Sequence, residues 1–174
     1  MGNFIKDIFH TLEKTIVKMN KWSYIPNSNH KLIYLNTCTY RGKNVILKDG
    51  TEIMDGDIIG EIHIDNIKVK NVKPEYNNMI GIFSDEIYTL KSEILDGRYP
   101  ELKAIYGVTV LYPLIKKMGF TIVEIKGSPK KLFVTIWENI LRVVFRRNKL
   151  KSSKKVRKPK ECWFSRNQIL QLNR

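Results

Sequence analysis

Two Asp-Gly pairs, Asp49-Gly50 and Asp55-Gly56, lie six residues apart in "LKDGTEIMDGDIIGEIHIDN". Each supplies a glycine where a tight turn needs a positive φ. Runs rich in β-branched residues flank both pairs, "KLIYLNTCTYRG" and "KNVILKDG" before them and "DIIGEIHIDN" after. No helix survives two such turns in so short a space. The region from about 31 to 73 therefore reads as an antiparallel β-meander.

The strand after the second turn alternates cleanly. Ile58, Gly60, Ile62 and Ile64 share one face, and Ile59, Glu61, His63 and Asp65 share the other. The first face is assigned to the core. The second is either the solvated side of a sheet or a site. Neighbours on one face are roughly 6.5–7 Å apart, so Glu61 or Asp65 is close enough to orient the His63 imidazole. An imidazole held by a carboxylate is the minimal kit for proton transfer.

Helical spacing dominates elsewhere. An amphipathic helix is expected over 3–20, with Phe4, Ile5, Ile8, Phe9 and Leu12 on its apolar side. A second spans 77–96 and stops at Gly97. "KAIYGVTVLYPLIKKMGFTIVEI" reads as a short apolar stretch, a short helix with Pro113 in its first turn ending at Gly119, and a strand over 120–126. Residues 130–146 form another amphipathic helix. "ECWFSRNQIL" closes the chain as a strand and a helical turn, with Ser165 as cap and Gln168 completing a capping box. The expected architecture is a single α+β domain over 1–174: an antiparallel sheet with packed helices. At 174 residues and 43% hydrophobic, the chain suffices for one core and is short for two.

The charge is uneven. There are 31 Lys+Arg against 17 Asp+Glu, a formal charge of +14. Six acids, Asp49, Glu52, Asp55, Asp57, Glu61 and Asp65, cluster without a single Lys or Arg among residues 49–67. Residues 142–160 invert this, with ten cations and no acid: Arg142, Arg146, Arg147, Lys149, Lys151, Lys154, Lys155, Arg157, Lys158 and Lys160. About 146–160 reads as a mobile basic segment suited to an anionic membrane or polymer. Nucleic-acid binding rests on charge alone, since no recognised nucleic-acid module frames the run.

Several classes are excluded. There is no Walker loop, GxGxxG, HExxH or GxSxG. Cys38 and Cys162 form no zinc spacing and no disulfide framework. No metal or cofactor is expected. Lys6 and Asp7 interrupt the N-terminal apolar stretch, so no signal peptide is read there. The longest charge-free apolar run has 12 residues, short of the about 20 a bilayer span needs. A cytoplasmic chain is expected, with peripheral membrane association as an option.

Three patches in order, "LKDGTEIMDGDIIGEIHIDN", "LKAIYGVTVLYPLIKKMGF" and "ECWFSRNQIL", resemble the YkoP-like domain family of spore-forming Gram-positive bacteria. The matching positions are Asp49, Gly50, Thr51, Gly56, Asp57, Glu61, His63, Gly107, Val108, Thr109, Leu111, Gly119, Phe120, Trp163, Ser165 and Arg166. Met118 and Phe164 depart from the pattern. Such domains occur alone or attached to polysaccharide deacetylases. The resemblance therefore implies an accessory or binding role at the cell envelope or in sporulation, and assigns no reaction. The deacetylase metal motifs are absent.

Two expectations follow. In the first the chain is a non-enzymatic module whose basic residues, Arg146, Arg147, Lys149, Lys151, Lys154, Lys155, Arg157, Lys158 and Lys160, contact an anionic polymer or membrane. In the second, His63 with Glu61 is a general acid/base, and Asp57, Asn66, Thr109, Ser165 and Arg166 bind the ligand, Arg166 through an anionic group.

Overall fold

A computed structural model describes residues 22–65, 76–109, 111–125 and 158–173, together with 11, 14, 15, 17, 18 and 68. The expected helix 130–146, Asn66 and most of the basic segment lie outside the described residues. So does most of the expected helix 3–20, although residues 11, 14, 15, 17 and 18 are helical.

The elements run β1 (Ser23–Tyr24), β2 (Ile33–Thr39), β3 (Val45–Ile46), β4 (Glu52–Ile53), β5 (Ile58–Ile64), α1 (Tyr76–Leu95), β6 (Ala104–Thr109), α2 (Tyr112–Lys117), β7 (Thr121–Val123), β8 (Lys160–Ser165) and α3 (Arg166–Leu170). This is an α+β fold. Six strands form one sheet in the order β1-β2-β5-β6-β8-β7, and β3-β4 pair separately. The sheet is mixed. β5 and β6 run parallel, because α1 carries the chain back across the sheet between them, and the other pairs are antiparallel.

Both Asp-Gly turns form. Gly50 and Gly56 have φ of 83° and 96°. The first closes the β3-β4 hairpin and the second feeds β5. Helix α1 ends in a Schellman motif, with Gly97 N–H bonding to Ile94 O and Arg98 N–H to Glu93 O. Gly97 has φ 85°, as the sequence position suggested.

One face of the sheet carries the main core. α1 presents Phe83, Ile87, Leu90 and Ile94 at helical spacing to Ile33, Leu35, Ile105, Cys162 and Phe164. Phe120 stacks on Phe164 at 4.5 Å.

The opposite face is not simply solvated. The hairpin folds over one end of it, and Leu47 and Ile53 pack with Ile59, Ala104 and Trp163 in a second core. Ile59 is 3% exposed there, and Asp65 is 4% exposed at the strand's far end.

Strand β6 crosses β5 closely at Gly107. A Cβ there would lie 2.9 Å from Ile62 Cγ1 and 3.2 Å from the Ile62 carbonyl oxygen. The carbonyl belongs to the ladder and cannot yield. Gly107→Ala is therefore expected to cost about 1–3 kcal/mol by overpacking, read as a lowered midpoint in urea with an unchanged slope.

Candidate functional site

The residues singled out from the sequence fall into separate groups. The hairpin tip and the last strand form the first. Asp49 Oδ1 accepts the Thr51 N–H at 3.1 Å, and Oδ2 accepts the Thr51 hydroxyl at 2.9 Å. Oδ2 also accepts the Ser165 hydroxyl, from 116 residues away along the chain. Ser165 is fully buried and caps α3. Its Oγ accepts the Gln168 N–H at 2.9 Å, while the Gln168 side-chain oxygen accepts the Ser165 N–H at 3.1 Å. The capping box is complete, and a turn residue of the hairpin closes it from outside. Burial works to raise the Asp49 carboxyl, but the hydrogen bonds from Ser165 and Thr51 outweigh it and hold it below the usual carboxylate range. Lys48 N–H adds a bond to Thr121 Oγ1 at 3.0 Å, so the hairpin is fastened at a second point.

Arg166 follows Ser165 directly. Its Nη1 donates to the Tyr99 carbonyl at 2.8 Å, and its own backbone N–H bonds to Lys103 O. The guanidinium thereby holds the bend before β6, where Tyr99 takes a positive φ of 54°. Asp57 accepts the Met54 N–H at 2.6 Å and pairs with Lys103 Nζ at 2.8 Å. The Lys103 bond, then the Met54 bond, lowers its pKa.

His63 lies elsewhere. It pairs across the ladder with Tyr34, which pairs with Tyr24. Trp22 stacks on the imidazole at 4.6 Å, and the Tyr34 ring centroid is 6.3 Å from it. Tyr24 and Tyr34 stack at 4.2 Å. Beside them, Asp65 Oδ2 accepts the Tyr24 hydroxyl at 2.6 Å and the Tyr34 hydroxyl at 3.3 Å, and Oδ1 accepts the Lys68 N–H at 2.9 Å. Burial and the Asp65 hydrogen bond push the Tyr24 phenol far up. Asp65, one of the two carboxylates that flank His63 on this face, is thus engaged with tyrosines and backbone. Glu61 is half-buried one step back along β5, in register with Asn36 and Tyr106.

These groups do not converge. Ser165 aligns through Ala104 with Ile59, four residues from His63. Two strand spacings and that offset put them roughly 15 Å apart. Thr109 ends β6 on the opposite face, and its Oγ1 accepts the Leu111 N–H at 3.0 Å. Lys158 is exposed just before β8, and Lys160 lies inside it. Arg146, Arg147, Lys149, Lys151, Lys154, Lys155 and Arg157 lie outside the described residues, as does Asn66. Among the described residues no group of three or more His, Cys, Asp or Glu is placed to hold a metal, and no helix is long and apolar enough to cross a membrane.

Two buried acids escaped the sequence reading. Glu86 and Glu93, 1% and 2% exposed, fall on the apolar stripe of α1. Glu86 Oε1 accepts the Ser28 hydroxyl and Oε2 the Ile33 N–H. Glu93 Oε1 accepts the Asn27 side-chain amide at 2.7 Å, and Oε2 lies 2.7 Å from Arg98 Nε. Their signal was available: both acids interrupt the stripe seven residues apart, between Phe83 and Ile94.

The fold is thus a mixed α+β sheet, helix-covered on one side and hairpin-capped at one end of the other. Its turn and terminal motifs interlock. The chain belongs to the YkoP domain family, whose model matches residues 2–173. It is similar to "Uncharacterized protein YkoP" of Bacillus subtilis (strain 168), at 24% identity over 125 residues that cover 67% of this chain and 68% of that protein. No solved structure matches the chain.

Ser165→Ala removes a cap and the hairpin tie together and is expected to cost about 2 kcal/mol. The Asp49 contribution depends on pH. Its folded pKa is depressed, so the stabilisation is complete above the ordinary value of about 3.9 and is lost as pH falls through the folded value. The stability gap between wild type and Asp49→Ala should hold from pH 7 to about pH 5 and narrow below about pH 4. Urea unfolding across that range checks it.

Proposed function

We propose that this chain is a non-enzymatic accessory or binding module of the bacterial cell envelope, whose basic residues contact an anionic polymer or membrane. One observation carries the reading. The polar side chains that recur in the three motif patches are spent on the fold: Ser165 on Asp49 and the α3 cap, Arg166 on the Tyr99 carbonyl, Asp57 on Lys103. A reacting group needs a nucleophile, a base and a substrate-holding cation in one place. Here the candidates are separated and occupied. Beside them stands an excess of positive charge, a formal +14, with ten cations in residues 142–160, of which Lys160 pairs with Glu124. Clustered cations near an anionic surface each contribute roughly 1 kcal/mol.

The reading of His63 as general acid or base has less behind it, because the imidazole stacks on Trp22 beside Tyr34, and Asp65 is engaged with Tyr24 and Tyr34. The envelope and sporulation setting comes from the family alone and is a weaker warrant than the charge.

The test is co-sedimentation with vesicles containing about 30% phosphatidylglycerol, and equilibrium binding to a soluble poly(glycerol phosphate), each at low and high salt. Binding to at least one should weaken steeply with salt. Changing Arg146, Arg147, Lys149, Lys151, Lys154, Lys155 and Arg157 to Gln should weaken it at least about tenfold, whereas His63→Ala should leave it unchanged. Salt-indifferent binding, or full binding by the Gln variant, would sink the proposal. His63→Ala should instead cost stability, about 1–2 kcal/mol, through the lost stacking.

A further inference from the structure

Helix α2 carries a row of side chains that continues the basic segment's charge onto the folded surface. Tyr112 and Lys116 are four residues apart and so share one face of α2. Lys160, at the start of β8, places its Nζ 4.8 Å from the centre of the Tyr112 ring. Tyr112 is half-buried against the main core, so its ring seats Lys160 beside α2, and the exposed Lys116 follows one turn further on. Lys158, exposed, lies just before β8, where the chain emerges from the cation run. Leu111, immediately before α2, is 39% exposed. One acid enters the strip: Glu124, 81% exposed, which pairs with Lys160 at 3.1 Å. Lys116, Lys158 and Lys160 against Glu124 leave the strip positive.

We infer that this α2 strip is where the protein meets an anionic phospholipid surface, with Leu111 at the headgroup boundary and Lys116, Lys158 and Lys160 on the phosphates. The inference rests on the polyanion reading above and narrows its partner. Two features favour lipid over a hydrated polymer. Lysine stems lie along apolar surface, as Lys160 lies over the Tyr112 ring, while their ammonium groups stay in water, which suits them to a bilayer interface. An exposed leucine beside them gains free energy on entering acyl chains and gains little on a hydrated chain of phosphates.

The experiment compares wild type, Lys116→Ala and Leu111→Ser for binding to phosphatidylglycerol vesicles and to poly(glycerol phosphate). Leu111 is exposed and stands before α2 rather than within it, and thermal unfolding confirms that each variant folds. Lys116→Ala should weaken vesicle binding about fivefold. Leu111→Ser should weaken vesicle binding about threefold or more and leave polymer binding unchanged. Vesicle binding that neither variant alters would overturn the strip while the polyanion reading stands. Salt-sensitive binding to the polymer but not to vesicles would likewise overturn it alone. Binding to neither would remove the polyanion reading and the strip with it.

Discussion

The contact between Asp49 and Ser165 holds the second core shut. A two-residue hairpin such as β3-β4 has too little ladder to stand alone. It persists here because Leu47 and Ile53 are driven onto Ile59, Ala104 and Trp163. Hydrophobic contact alone leaves the hairpin free to slide, being non-directional. The carboxylate of Asp49 gives it direction, because Ser165 Oγ has one place to donate. The same oxygen accepts from Gln168 N–H and so starts α3. One hydroxyl thus orients the hairpin, ends β8 and begins the last helix.

The other end of the sheet uses charge in a similar way. The segment between β1 and β2 turns through two residues of positive φ, Asn27 at 58° and Lys31 at 48°. Such backbone is held only where the surroundings insist on it. Glu86 and Glu93 supply that insistence from α1, receiving Ser28, Ile33 N–H and Asn27. Buried carboxylates are costly unless every oxygen is met. Both oxygens of Glu86 and Oε1 of Glu93 accept hydrogen bonds, while Oε2 of Glu93 accepts none and is met by the Arg98 guanidinium as an ion pair, which helps to fix the position of β1 and hence of Tyr24 beside Asp65.

Local rules explain what was legible in the sequence. The Asp-Gly turns, the stop at Gly97, Pro113 in the first turn of α2 and the Ser165–Gln168 box depend on neighbours a few residues away, and all four form. The α1 stripe was equally plain. The parallel β5-β6 pair was not, because strand order across a helical crossover depends on packing over long separations. The outer face of β5 was also misjudged in part, since alternation cannot reveal that a hairpin will return to cover Ile59. Of the candidate site, membership of the motif patches was readable and their geometry was not. Asp49 and Ser165 meet across 116 residues, while His63 and Ser165, equally prominent in the pattern, do not meet at all.

The division of charge follows from this arrangement. Five of the six acids between 49 and 65 have local partners: Asp49 with Ser165 and Thr51, Glu52 with Asn44, Asp55 with Arg41, Asp57 with Lys103, and Asp65 with Tyr24 and Tyr34. Only two of those partners are cations. The acidic island therefore neutralises little of the positive excess, and its carboxylates are committed to turns and hydroxyls that would be lost if they moved. Of the ten cations in residues 142–160, Lys160 has an acid partner among the described residues, Glu124. So dense a run of like charge is self-repelling and attracts counter-ions. The negative charge of the acidic island is thus kept largely for structure, and any contact that the chain's cations make with a polyanion would weaken as ionic strength rises.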